Sequence, residues 1–167
     1  RGYGRKVKLP GKHGNQMNLK NLYFRKFWEN KKVLITGHNG FKGSWLSLLL
    51  TSLGAEIYGI SLENKGPNSL FNTLHFWDGN NEEIIDIRNL KKINHAIKEI
   101  SPDIIFHLAA QPLVIESYLN PVETWSTNVM GTISILEAAR SLNKKAIFIG
   151  ITTVSYTHLR AHETKKH

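Results

Sequence analysis

Cysteine is absent from this 167-residue chain. That excludes disulfide staples and any thiolate-ligated zinc site, and it fits a reducing cytoplasm. Long apolar runs are missing as well. The longest, Trp45 to Leu50, is interrupted by Ser47 and falls far short of the roughly 20 residues of a membrane-crossing helix. No charged-then-apolar leader ends in a small-residue cleavage site, so neither a secretory signal nor a membrane partner is expected. Acidic residues are scarce: 13 Asp and Glu stand against 22 Lys and Arg, for a net charge of +9.

That charge invites a nucleic-acid partner, but its distribution argues otherwise. Residues 1–16 contribute +5 and residues 154–167 contribute +2, which leaves only +2 for the whole of 17–153. The basic character lies in the ends, away from the segments that carry fold signals, so no nucleic acid is expected. Residues 1–16 have too little to bury and read as a disordered, non-native basic extension. Met17 opens a more structured stretch. Residues 17–153 read as one domain, and 154–167 as a tail.

From Lys32 onward short apolar runs alternate with helical patterns. Val33-Leu34-Ile35-Thr36 reads as a buried parallel strand. Ser44 to Leu53 reads as a helix closed by Gly54. Ala55 to Ser61 is a second strand, 62–82 is loop-like, and Glu83 to Asp86 is a short third strand. Leu90, Ile93, Ile97 and Ile100 predict an amphipathic helix stopped by Ser101-Pro102. Asp103 to Leu108 is a fourth strand. Asn120 is expected to cap a helix that has Pro121 first and runs to about Leu142. Ala146 to Ile151 is a fifth strand. This is an α/β series, and the simplest arrangement is a Rossmann-type doubly wound parallel sheet in the order 3-2-1-4-5, truncated after the fifth strand.

Thr36-Gly37-His38-Asn39-Gly40-Phe41-Lys42-Gly43 joins the first strand to the first helix. In such a loop one glycine permits the tight turn, one lets the backbone approach a pyrophosphate, and one lets helix and strand pack closely. The helix N-terminus then offers N–H groups and the positive end of its dipole to phosphate. The loop reads as a cofactor site, although a plain strand-to-helix turn would look similar.

The G-x-x-G-x-x-G spacing resembles the extended short-chain dehydrogenases, and further segments agree. Asp86-Ile87-Arg88 is similar to that family's D-[IVL]-R, His107-Leu108-Ala109-Ala110-Gln111 to its H-x-A-A segment, and Thr127-Asn128-Val129-Met130-Gly131-Thr132 to its T-N-V-x-G-T. Within the family, Gly37 to Leu46, Ser69-Leu70-Phe71, Ala109 to Val114 and Ser117-Tyr118 resemble the CDP-glucose 4,6-dehydratases. The resemblance covers roughly 22–153. It implies NAD as cofactor, held by Gly37, His38, Gly40, Phe41, Lys42, Gly43, Asp86, Ile87, Leu108, Ala109, Ala110, Gln111 and Asn128, with Asp86 facing the adenine amino group. It also implies a nucleotide-sugar substrate, CDP-glucose, and a homo-oligomeric parent protein. No metal site is expected.

In that family the sugar is oxidised at C4, water is lost across C5 and C6, and the hydride returns at C6. The resemblance assigns Thr153 as the catalytic residue that hydrogen-bonds O4. An Asp-Lys pair and a later Tyr-x-x-x-Lys should follow, but Val154-Ser155 come next. Tyr156 and Arg160 only mimic the second pair, because arginine lacks lysine's titratable ammonium. Residues 154–164 resemble translated sequencing adapter, so 154–167 is read as adapter-derived and the chain as an inactive N-terminal part. The alternatives are a stand-alone dinucleotide-binding module or another member such as a nucleotide-sugar epimerase. Glu63 and Ser61 compete as contacts for the cofactor's ribose, which leaves NAD against NADP open.

Overall fold

The computed structural model describes residues 19–63, 69–74 and 81–152. Five parallel strands form one sheet in the order β3-β2-β1-β4-β5: β1 Lys32–Thr36, β2 Glu56–Ser61, β3 Glu82–Ile84, β4 Ile104–His107 and β5 Ile147–Gly150. This is the expected doubly wound, Rossmann-type order. β1 is central and its last residue, Thr36, lies in register with Ile60 on one side and His107 on the other. The apolar strands are the central ones because only there are both faces covered, and Val33, Leu34, Ile35 and Ile105 are fully buried.

Seven helices surround the sheet among the described residues: α1 Leu19–Trp28, α2 Phe41–Ser52, α3 Leu70–Leu74, α4 Leu90–Ile100, α5 Val114–Leu119, α6 Pro121–Trp125 and α7 Gly131–Arg140. On one face Leu34, Ile60 and Ile105 meet Ile93, Ala96, Ile97 and Ile100 of α4 and Ile135 and Ala138 of α7. The α4 positions follow i, i+3, i+4, i+7, so a single stripe of that helix is buried. Each fully buried Ile contributes roughly 1.5–3 kcal/mol. On the other face Val33, Ile35, Ile57 and Ile104 pack with Leu50 of α2 and with Trp28 of α1. No helix among the described residues is long and apolar enough to cross a membrane.

The helix ends show where local chemistry decides. Asn89 caps α4 by accepting from the Lys92 N–H. Ser101 ends it in the left-handed region at φ 47°, as the Ser-Pro stop suggested. Gly54 follows α2 at φ 90°, a conformation that glycine adopts without strain. Pro121 does begin a helix, but Asn120 does not cap it. Asn120 sits at φ −130°, ψ 62° with no side-chain bond to the first turn, and its Nδ2 donates instead to Glu116 Oε2. The helix expected from there to Leu142 is continuous only to Arg140, and Ser126–Met130 form a π-turn between α6 and α7. Three helices went unforeseen, α1, α3 and α5. The turn signals Gly66-Pro67-Asn68 and Gly79-Asn80 lie outside the described residues, as do 1–16, Thr153 and 154–167.

Candidate functional site

In a doubly wound sheet ligands bind beyond the strand C-termini where the strand order reverses, here between β1 and β4. The glycine loop crosses that point. Gly37 has φ 73°, its N–H donates to Ile60 O at 2.7 Å, and a Cβ there would lie 2.9 Å from Ala109 N. Gly43 is tighter: its Cβ would sit 2.2 Å from Gly37 O. Gly40 is exposed and meets only Gly37 O, at 3.3 Å. Two glycines therefore pack the turn and the third leaves a cradle open. Gly40 precedes α2 without a side-chain cap, so the first-turn N–H groups and the helix dipole face the cradle's anion-binding end. Phe41 and Lys42 are exposed at its mouth.

His38 does not reach a ligand through its side chain. The ring is fully buried and turned under the loop, where Nε2 lies 2.8 Å from Glu82 Oε1 on β3. Phe71 of α3 meets it edge-on at 5.2 Å. A Cβ on Gly59 would strike the ring at 2.6 Å, so the bare backbone of β2 makes the slot. The side chain of His38, expected at the cofactor, thus lies beneath the loop, and its backbone remains part of the loop. Burial pushes its pKa below the usual 6.5, and the Glu82 carboxylate opposes that shift. Ile87 is likewise buried, against Gly131 of α7.

Asp86 is half-buried beyond β3 and paired with Arg88. Its Oδ1 accepts from the Arg88 backbone N–H at 2.9 Å and from Nε at 3.0 Å. Arg88 also reaches Glu123 on α6, and its guanidinium holds the Asp86 carboxyl below the usual range. On the far side of the cleft Asn128, at the centre of the π-turn, binds the Gln111 peptide at both ends. Its Oδ1 accepts from Gln111 N at 2.7 Å, and its Nδ2 donates to Gln111 O at 3.1 Å. The Gln111 side chain donates to Thr124 Oγ1 and accepts from Leu113 N. Leu108 and Ala109 are partly covered, and Ala110 is exposed. The structure thus brings both loops to one end of the sheet.

Thr36, His107 and Thr132 link these residues, and none of the three was among the expected cofactor contacts. The ring of His107 lies between the two threonine hydroxyls. The available signal was a polar residue ending each of two apolar strands. Ser61 at the end of β2 is buried, and its hydroxyl has no hydrogen-bond partner among the described residues, whereas Glu63 is exposed. Buried hydroxyls rarely stay unpaired. An orphaned hydroxyl beside a glycine cradle fits a dinucleotide whose ribose and pyrophosphate would occupy them. Among the described residues no group of three His, Asp or Glu is placed to hold a metal.

Residues 34–156 match the family described as GDP-mannose 4,6 dehydratase. The chain belongs to that family. CDP-glucose 4,6-dehydratase of Salmonella typhimurium is 46% identical over 129 residues, which cover 77% of this chain and 36% of that protein. Among solved structures, the epimerase Mth375 of Methanothermobacter thermautotrophicus matches with TM-score 0.63 at 27% identity, over 81% of this chain and 39% of that one. UDP-glucose 4-epimerase of Thermus thermophilus, solved in complex with NAD, matches with TM-score 0.58 at 29% identity, over 65% and 33%. The family is one of nucleotide-sugar dehydratases and epimerases with a Rossmann-type, NAD-binding fold. The chain spans about a third of the length of the curated relatives it matches.

Proposed function

We propose that this chain supplies the NAD-binding part of a nucleotide-sugar 4,6-dehydratase acting on CDP-glucose. The observation that carries the reading is the glycine cradle, open at Gly40 and closed by backbone at Gly37 and Gly43. NAD bound there would take up and return a hydride, so the overall reaction is redox-neutral. Gly37, Gly40 and the first-turn amides of α2 would hold the pyrophosphate, with Lys42 as a nearby cation. Ser61 would meet the ribose and Asp86 the adenine. Ala109, Ala110 and Gln111, fixed by Asn128, would line the cofactor where it extends toward the substrate. The CDP-glucose assignment rests on the 46% identical relative.

Thr153 is proposed as the residue that hydrogen-bonds the sugar O4, by resemblance alone. The 167 residues carry no Tyr-x-x-x-Lys, and Val154 follows Thr153 directly. This chain is therefore proposed to bind cofactor without turning over sugar. A second copy of the parent protein is the proposed partner. Val122, Trp125, Met130 and Ile133 form an exposed apolar stripe along α6, the π-turn and α7, which supports that reading.

The test is an NAD titration of the 167-residue chain and its Gly40→Val variant, both shown to be folded by circular dichroism. We expect binding by the parent and a loss of at least about tenfold in the variant, because the new side chain fills the cradle. Equal affinities would overturn the assignment.

A further inference from the structure

His107 ends β4 directly opposite Thr36, the last residue of β1 before the glycine loop. Its ring is buried, with Nδ1 2.7 Å from Thr36 Oγ1 and Nε2 2.9 Å from Thr132 Oγ1. Thr132 spends its one proton on Asn128 O at 2.6 Å, so its oxygen must accept from His107. Nε2 therefore carries the ring proton, and Nδ1 is bare and accepts from the Thr36 hydroxyl. Thr36 Oγ1 in turn accepts the Ala109 N–H at 3.2 Å. One neutral tautomer satisfies every donor in a chain that runs from Ala109 through Thr36, His107 and Thr132 to Asn128. Asn128 then holds both ends of the Gln111 peptide.

We propose that His107 is a positioning residue whose neutral, Nε2-protonated ring keeps three walls of the cleft in register, so that dinucleotide binding fails when the ring takes a second proton. The three walls are the glycine loop after β1, the loop after β4 and the π-turn of the long helix. The inference rests on the cofactor reading above only in its last step, because the register itself is a property of the free protein.

A second proton on Nδ1 would point at Thr36 Oγ1, which already accepts one N–H and would lose the acceptor for its own proton. The walls around the ring supply nothing to stabilise the charge. Thr36 faces it from β1, Thr132 from α7, and the Phe148 ring from β5 at 6.0 Å. No charged group contributes to its shift: burial alone lowers its pKa from 6.5. The sign follows from that direction. The unfolded chain takes up the proton near pH 6.5 while the folded ring stays neutral, so stability falls as the pH drops below 6.5 toward the folded value. At that folded value the network itself breaks.

The experiment uses the 167-residue chain. Long-range nitrogen–proton NMR of the imidazoles, with His107 assigned through its variants, should show an Nε2–H neutral ring at pH 7. On acidification the amides of Gly37, Ala109 and Gln111 should titrate together with that ring, and NAD affinity should fall over the same range. His107→Gln can keep the bond to Thr132 without titrating, so it should retain affinity within about threefold and lose the acid-side decline. His107→Leu should weaken NAD by about tenfold or more, the scale of one lost buried hydrogen bond. If His107→Leu does not fold, Thr132→Val should uncouple the Gln111 amide from the ring while Gly37 stays coupled.

An Nδ1–H tautomer, a ring that titrates without those amides, or an unchanged pH profile in His107→Gln would each overturn the proposal. A parent chain that binds no NAD at any pH would overturn the cofactor reading instead. The positioning role would then be judged by the coupled amide titration alone.

Discussion

The glycine-loop wall of the cleft and the side facing it, where the loop after β4 meets the π-turn, are built by different means. The glycine-loop wall is a steric fit of backbone on backbone, with Gly43 facing Gly37 O and Gly37 facing Ala109 N. The opposite wall is a web of side-chain hydrogen bonds that Asn128, Gln111, Thr124 and His107 tie together. A steric wall fails abruptly when a single carbon is added. A hydrogen-bonded wall loses one partner at a time and can respond to pH. The first should tolerate almost no substitution, and the second should show graded effects.

The largest effect should come from Gly43→Ala. Its new Cβ would lie 2.2 Å from Gly37 O and 2.7 Å from His38 Cα, both backbone atoms that cannot swing aside. We predict a loss of about 3 kcal/mol, read from urea denaturation, against less than about 1 kcal/mol for Gly40→Ala in its open position. Similar costs for the two would break the description of this wall as a steric fit. Asn128→Ala should follow, at about 2 kcal/mol for two bonds to a partly buried peptide. Hydrogen exchange at the Gln111 amide should quicken in step. If that amide stays as protected as in the parent, Asn128 is not what holds the wall.

The smallest effect tests a place where the steric wall leans on a charged group, Glu82. Glu82 and burial act on His38 in opposite directions, with burial prevailing. Phe71 of α3 and the backbone of β2 also lie against the ring. In Glu82→Gln the opposing charge is gone, so the His38 pKa should fall further. A histidine with a depressed folded pKa loses stability as the pH drops below 6.5. In the variant that loss should continue to lower pH and be larger, by up to about 1 kcal/mol between pH 7 and pH 5. An NMR titration in which the His38 pKa rises, or does not move, would contradict it.

The same contrast explains what was legible in the sequence. Gly37 and Gly43 announce the steric wall because backbone stands where a Cβ would go, Gly40 marks the open cradle between them, and the central strands announce themselves as unbroken apolar runs. The web of the second wall gave little sign. Asn128 was placed by resemblance, yet its hold on the Gln111 peptide depends on a π-turn that helical periodicity does not display. His38 looked like a loop residue between glycines. The clue to its burial was Gly59, a glycine inside a strand, which often marks a close approach. Asn120 had the chemistry of a cap, and Glu116 one turn earlier competed successfully for its amide. In α1 the exposed Tyr23, Phe24 and Phe27 blurred the apolar stripe, and among the described side chains of that helix Trp28 packs against the core, near Phe106.

The π-turn also sets a rule about length. A π-turn holds one residue more than the α-helix it interrupts. Deleting one residue of Ser126–Met130 would restore a regular helix with its two ends in nearly the same setting. A deletion in the regular α-helix on either side would instead turn one end against the other by about 100°. The N-terminal end carries Glu123, bound to Arg88, and the C-terminal end carries Ile135 and Ala138, buried beneath α4. Both anchors cannot be kept after such a rotation. In Pro121–Trp125 and Gly131–Arg140 the residue count is therefore a constraint in its own right, and the π-turn is the place where one residue can be lost. Natural variants of this protein should therefore place insertions and deletions in the loops on either side of this helix or at the π-turn, and not in its regular turns.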